Sequence, residues 1–150
     1  MKFTLEGEHA TQELARTLAQ VVCESPRITH ARVIALSGDL GSGKTTFAAV
    51  FGKTCGVKKR LLSPTFALRS LYKTKNNTYP TLEHYDWYRL KGVQELLPIG
   101  WSDAVQDPKR ILLIEWPERA KRALPKNYIA VKLSHEKNGS RKADIQFYGQ

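Results

Sequence analysis

RVIALSGDLGSGKTTF, residues 32–47, is the stretch from which the rest of the chain is read. Its first six residues are almost wholly apolar, as in a strand covered on both faces. Residues 38–45, GDLGSGKT, then satisfy G-x-x-x-x-G-K-[ST] in full. Average residue usage would produce that match by chance on the order of once in a few hundred chains of this length. Lys44 to Thr54 reads as a helix with Phe47, Val50, Phe51 and Thr54 on one stripe, and Gly56 is placed to end it. Strand, glycine-rich loop and helix in this order form a phosphate loop, and each residue type has a reason. Gly38, Gly41 and Gly43 permit tight turns that aim successive backbone N–H groups at an anion, and the helix N-terminus adds its partial positive charge. Gly41, Ser42 and Gly43 thus cradle phosphate, Lys44 reaches the terminal phosphates, the Thr45 hydroxyl can ligate magnesium, and Thr46 adds a hydroxyl on the α-phosphate side. The segment predicts a nucleoside triphosphate site.

A phosphate loop needs a carboxylate opposite it to hold the metal or its waters. ILLIE, residues 111–115, supplies one: a buried strand that stops on Glu115, at the sheet edge where ligands sit in open α/β folds. An unpaired buried carboxylate is costly, so Glu115 needs magnesium or an ion-pair partner such as an arginine. Trp116 beside it is either core filler or a ring over the pocket. EHYDWYRL, residues 83–90, is the second constellation. As a strand it puts His84, Asp86 and Tyr88 on one face and Tyr85, Trp87 and Arg89 on the other. The His–Asp pair can position water, bind metal or bond internally. Ser63-Pro64-Thr65-Phe66 follows the phosphate-loop helix, where nucleotide switches carry a sensing threonine.

The remaining chain is organised around these segments. KFTL opens as a strand, and Thr11 is placed to cap a helix bearing Leu14, Leu18, Val21 and Val22. FALRSLYK and TYPTLEHYDWYRL flank KNN as a hairpin with a tight turn. Helical patterns follow at 93–97 and 101–105, then a basic helix at 118–124, and YIAVKLS and KADIQFY close the chain around Asn138-Gly139. Strands alternating with helices, plus two hairpins, predict an α/β fold: a P-loop NTPase-like mixed central sheet with flanking helices, in one domain over residues 1–150. No run approaches a membrane-spanning length and no secretory core follows the N-terminus, so the expected location is the cytoplasm. Cys23 and Cys55 then read as reduced packing residues. Net charge is +10, and from Arg119 to Lys142 eight basic residues face one acid, Glu136. That suits phosphates, RNA or an acidic protein, or a solvated face.

GDLGSGKTTF, SPTF, HYDWYRL and IEWPE, in this order and spacing, resemble the bacterial TsaE family of small P-loop ATPases needed for threonylcarbamoyladenosine modification of tRNA. The resemblance runs from about Glu8 to Arg141. It implies one ATP/ADP and magnesium site, and partnership with TsaB- and TsaD-type proteins, the latter performing the carbamoyl transfer while the ATPase resets the complex. It implies Thr45 and Glu115 on the metal, Asp86 orienting the attacking water or the metal's waters, Thr65 in a switch-like segment, and Glu8, Thr11 and Arg141 near the base. tRNA is then an indirect partner, with direct contact through the basic C-terminal third left open. The competing readings are a small-molecule or nucleotide kinase, disfavoured by the absence of an arginine-rich lid insertion, and an ATP-gated RNA-binding module.

Overall fold

The structure, a computed structural model, describes residues 1–62 and 67–149. Strands β1 (Lys2–Leu5), β2 (Arg32–Ser37), β3 (Arg69–Lys73), β4 (Thr81–Asp86), β5 (Arg110–Glu115), β6 (Tyr128–His135) and β7 (Arg141–Tyr148) form one sheet in the order β1-β7-β6-β2-β5-β4-β3. The four central strands run parallel, while β3, β7 and β1 join antiparallel at the edges. The sheet is therefore mixed, as two hairpins flanking buried parallel strands require. The buried runs of β2 and β5 lie side by side at its centre, with Leu36 opposite Glu115.

Two layers cover it. Helices α1 (Gly7–Glu24) and α2 (Lys44–Thr54) pack on one face, where Phe47, Phe51, Ile34, Leu36, Leu82 and Leu113 are fully buried. The other face carries helix α3 (Trp101–Gln106) and two 3-10 segments, Val93–Leu96 and Pro117–Ala123, around Tyr85, Trp87 and Trp101. Those three rings meet edge to face, with centroids 5.1 to 6.5 Å apart, a favoured aromatic geometry.

Three local expectations need correction. Thr11 does not cap α1: the helix starts at Gly7, and Thr11 is fully buried on its inner seam with Ala15, Leu18, Ala19 and Val22, while Val21 is exposed. Small residues on that seam let α1 approach α2 closely, an arrangement that the large apolar residues alone do not reveal. KNN is not a tight turn but part of the longer connection from Thr74 to Pro80. Asn76 organises it, its Oδ1 accepting the N–H groups of Thr78 and Tyr79, and Tyr79 is fully buried. The basic helix is a 3-10 segment that starts at Pro117 and is broken at Ala120 (φ −146°, ψ 49°).

Candidate functional site

The phosphate loop lies where the sequence places it, between β2 and α2. Gly38, Gly41 and Gly43 all have positive φ (149°, 77° and 105°). A Cβ on Gly38 would come within 2.5 Å of the Leu133 carbonyl oxygen and of Ser42 Oγ, so no other residue fits there. The loop closes with Ser42 N–H on the Asp39 carbonyl, 3.1 Å, and Phe47 N–H on the Gly43 carbonyl, 2.9 Å. His135 at the end of β6 donates Nε2–H to the Gly41 carbonyl at 2.8 Å and braces the loop from the C-terminal hairpin.

Lys44 is buried and folds back on the loop. Its ammonium donates to the carbonyls of Gly38 and Asp39 and lies 4.2 Å from the centroid of the Trp116 ring. Burial pulls its pKa below the ordinary lysine value, against the opposing pull of Glu115, Glu118, Asp39 and Asp86. Trp116 sits at φ 58°, in the left-handed region. An indole held there is a backbone outlier of the kind that gathers at ligand sites. It packs on Tyr88, centroids 4.9 Å apart, and half-buried against the core it is also a wall of the pocket.

Alternation along the strands puts His84, Asp86 and Glu115 on the face that carries α2, and the register sets Asp86 beside Glu115. Glu115 is buried, and His84 Nε2 lies 2.7 Å from its Oε2. A carboxylate only accepts, so Nε2 carries the proton. The structure thus gives the Glu115 carboxylate a histidine as hydrogen-bond donor. His84 Nδ1 is buried with no hydrogen-bond partner among the described residues, and so are Ser42 Oγ and Thr11 Oγ1. Asp86 ends β4, and its Oδ1 accepts the Tyr88 N–H at 2.9 Å, turning the chain out of the sheet. Burial raises the Asp86 pKa; the Tyr88 N–H works against that, Glu115 adds to it, and His84 and Lys44 oppose it.

These groups converge on a cavity of about 700 Å³. Its walls include Gly41, Gly43, Lys44, Thr45, Thr46, Asp86, Glu115 and Arg141, together with Tyr88, Arg89 and Trp116. Arg141, at the start of β7, comes close enough that its Nη1 would lie 3.5 Å from a Cβ on Gly43, as would the Thr11 methyl. Ser42 and Thr11 are both buried beside the loop. Glu8 lies apart: it lines a neighbouring cavity of about 680 Å³ that shares Thr46 with the first. Thr65 lies outside the described residues.

A main-chain cradle with an ammonium on one side and two carboxylates on the other suits a phosphate group bearing a divalent cation. Sequence reasoning missed three parts of it: the His84–Glu115 bond, His135 on the loop, and Arg119, which stands 5.2 Å over the Tyr88 ring instead of apart from the site. It also missed Lys53, Lys58, Lys59, Arg60 and Lys75 around the second cavity. The signal for these was present, since no acidic residue falls between Asp39 and Glu83.

A family model described as "Threonylcarbamoyl adenosine biosynthesis protein TsaE" matches residues 5–143. Among curated relatives, a "tRNA threonylcarbamoyladenosine biosynthesis protein TsaE" from Rickettsia conorii is 37% identical over 143 residues, covering 95% of this chain and 75% of its own. One of the same description from Nostoc sp. strain PCC 7120 is 39% identical over 121 residues, covering 79% and 72%. The crystal structure of YdiB from Bacillus subtilis matches the fold with a TM-score of 0.75 at 21% identity, over 99% of this chain and 86% of that one.

Proposed function

The chain belongs to the TsaE family, and from that premise we propose that it binds and hydrolyses ATP in support of threonylcarbamoyladenosine formation on tRNA, acting as a nucleotide-dependent switch on a partner transferase complex. The observation that carries this reading is that Asp86 and Glu115 meet Lys44 of the phosphate loop around one cavity. Gly41 and Gly43 offer backbone N–H groups to phosphate, Ser42 adds its own on release from the Asp39 carbonyl, and Lys44 exchanges its contacts with the Gly38 and Asp39 carbonyls for phosphate oxygens. Thr45 and Glu115 are the residues to hold magnesium, which when bound neutralises charge on the phosphate oxygens. His84 holds the Glu115 carboxylate in place. Asp86 accepts a hydrogen bond from the attacking water, and its raised pKa brings it nearer the working range of a base. Thr46 and Arg141 contact the rest of the nucleotide, with Thr11 buried behind the loop and Glu8 at the edge of the adjoining cavity.

TsaB- and TsaD-type proteins are the proposed partners and the cytoplasm the proposed location; none of the described helices is long and apolar enough to cross a membrane. The exposed bases around the second cavity suit an acidic surface on such a partner more than free tRNA, because the family acts through a protein complex.

Two variants test the reading. Lys44→Ala removes a charge-assisted contact of about 1.5–3 kcal/mol, so titration with a fluorescent ADP analogue should show at least a tenfold loss of affinity. Glu115→Gln keeps shape without charge, and should retain nucleotide affinity while turnover falls by roughly two orders of magnitude, as expected when a charge acting on the reaction is lost. Wild-type turnover in Glu115→Gln would reduce Glu115 to a structural strand end.

A further inference from the structure

Cys23 is the penultimate residue of α1, and Cys55 caps the C-terminus of α2. Both are free thiols, and their Sγ atoms lie 2.9 Å apart. That is inside van der Waals contact, though longer than the ~2.05 Å of a disulfide bond. The helices bring them together for a geometric reason. At the other end of the layer, the Thr11 methyl of α1 would lie 3.5 Å from a Cβ on Gly43, the residue that precedes α2. Thr11 and Cys23 are as far apart along the chain as Gly43 and Cys55. The two helices therefore run side by side in the same sense, their N-terminal ends at the phosphate loop and the two sulfur atoms at the far end.

The surroundings of the pair favour reaction over inert packing. Cys55 is buried and Cys23 half-buried, so Cys23 is the more accessible residue of the two. Asn76 donates its amide to the Cys23 carbonyl at 2.9 Å while it organises its own loop, which fixes the chain over the pair. The Cys55 thiol lowers the pKa of Cys23 by hydrogen bonding to its thiolate; burial and Glu24 oppose this and Asn76 assists, while the same bond and burial push the Cys55 thiol up, so Cys23 is the sulfur that ionises first. A half-exposed, acidified thiol with a second sulfur in contact is the arrangement of an attacking and a resolving cysteine.

We propose that Cys23 and Cys55 form a redox site, converted by hydrogen peroxide into a reversible intramolecular disulfide that fastens α1 to α2. The Cys23 thiolate attacks one peroxide oxygen and breaks the O–O bond; sulfur keeps that oxygen as a sulfenic acid, and the other leaves as water once protonated. The Cys55 sulfur then attacks the Cys23 sulfur, forming the S–S bond and releasing the second oxygen as water. Two thiols thus lose two electrons and two protons, and one peroxide becomes two waters. The bond lies at the end of the helix pair away from the phosphate loop. It stiffens the layer without entering the nucleotide cavity, so the proposal does not rest on the ATPase reading.

The test uses the full chain, treated under native conditions with equimolar hydrogen peroxide and then alkylated in denaturant. The expected product is a monomer lighter by about 2 Da, the two hydrogens lost. It resists alkylation until dithiothreitol is added, and digestion yields a peptide joining Cys23 to Cys55. Its melting temperature should rise by several degrees over the reduced form, since a cross-link restricts the unfolded chain. That shift should be absent in Cys23→Ser and in Cys55→Ala, each verified as folded by circular dichroism. Two alkylatable thiols after treatment, oxygen adducts on Cys23 with Cys55 still free, or a disulfide-linked dimer would each overturn the proposal. A verified disulfide with an unchanged melting temperature would overturn its fastening role.

Discussion

Glu83 on β4 and Glu115 on β5 are both buried, at 0% and 2% exposure, on neighbouring strands of one sheet. They point to opposite faces and are treated differently. Glu83 looks away from α2 and is surrounded by compensation: its oxygens accept from Tyr85 and Arg110, and Arg69 stands 3.7 Å away. Burial raises the pKa of the Tyr85 hydroxyl, and its bond to Glu83 raises it further, so it remains a donor. Glu115 looks toward α2, takes a hydrogen bond from His84, and opens onto the cavity beside Lys44 and Asp86. A carboxylate ringed by fixed cations is a structural tie. One held by a histidine at a cavity wall is the carboxylate that the proposed function assigns to magnesium. Burial alone does not distinguish the two; the chemistry of the partners does.

The comparison breaks first at Glu83. Glu83→Ala takes the carboxylate from Arg69 and leaves Arg110 with Asp107 alone, at side chains that are only 31% and 29% exposed. Urea unfolding should show a loss of about 2–3 kcal/mol, below the usual cost of breaking a buried pair because both arginines can turn toward water. Nucleotide affinity in the folded variant should stay within about twofold, since that carboxylate lies on the face away from the site.

Next in size is the Glu115 side. His84→Leu removes the donor and should cut turnover about tenfold, the equivalent of one hydrogen bond of ~1.4 kcal/mol. It should also raise the magnesium concentration needed for half-maximal nucleotide binding. His84→Gln, whose amide can still donate, should recover most of both losses. If Leu and Gln behave alike, His84 does no more than fill space.

The smallest effect concerns stability and pH. Asp86 has a folded-state pKa above its unfolded value, mainly through burial, so the folded protein binds that proton more readily than the unfolded chain. Stability from this group is fully present below the ordinary carboxylate range, ~3.9, and is lost as pH rises through the folded pKa. Asp86→Asn removes that loss, so its urea midpoint should exceed that of the wild type at pH 7 and converge with it on acidification, even as turnover falls. A variant less stable than wild type at pH 7 would overturn burial as the dominant influence on Asp86.

Legibility followed the range of the interactions. The bounds of β2 and α2 agree with the sequence reading residue for residue, because a two-sided apolar run, a glycine loop and an amphipathic stripe are adjacent in the chain. Asp86 and Glu115 were legible as candidates, since charged residues ending buried strands stand out against their neighbours. Thr11 misled because its hydroxyl suited a cap, whereas its real setting is a seam of small residues against α2. The connection at 74–80 misled because Asn76 and the buried Tyr79, not a two-residue turn, decide its path.

By itself the sequence determined the phosphate loop, the parallel core strands that flank it, the mixed sheet and the family, since each of these is written in residues that are neighbours or recur in fixed order. The tertiary structure alone decided which buried glutamate faces the cavity, that His84 holds it, that His135 and Arg141 reach the loop from the C-terminal hairpin, and that Cys23 meets Cys55. Those pairings join residues from 31 to 98 positions apart, such as His84 with Glu115 and Gly43 with Arg141. Local pattern carries no information over such separations; strand register and helix packing bring the groups within reach of one another.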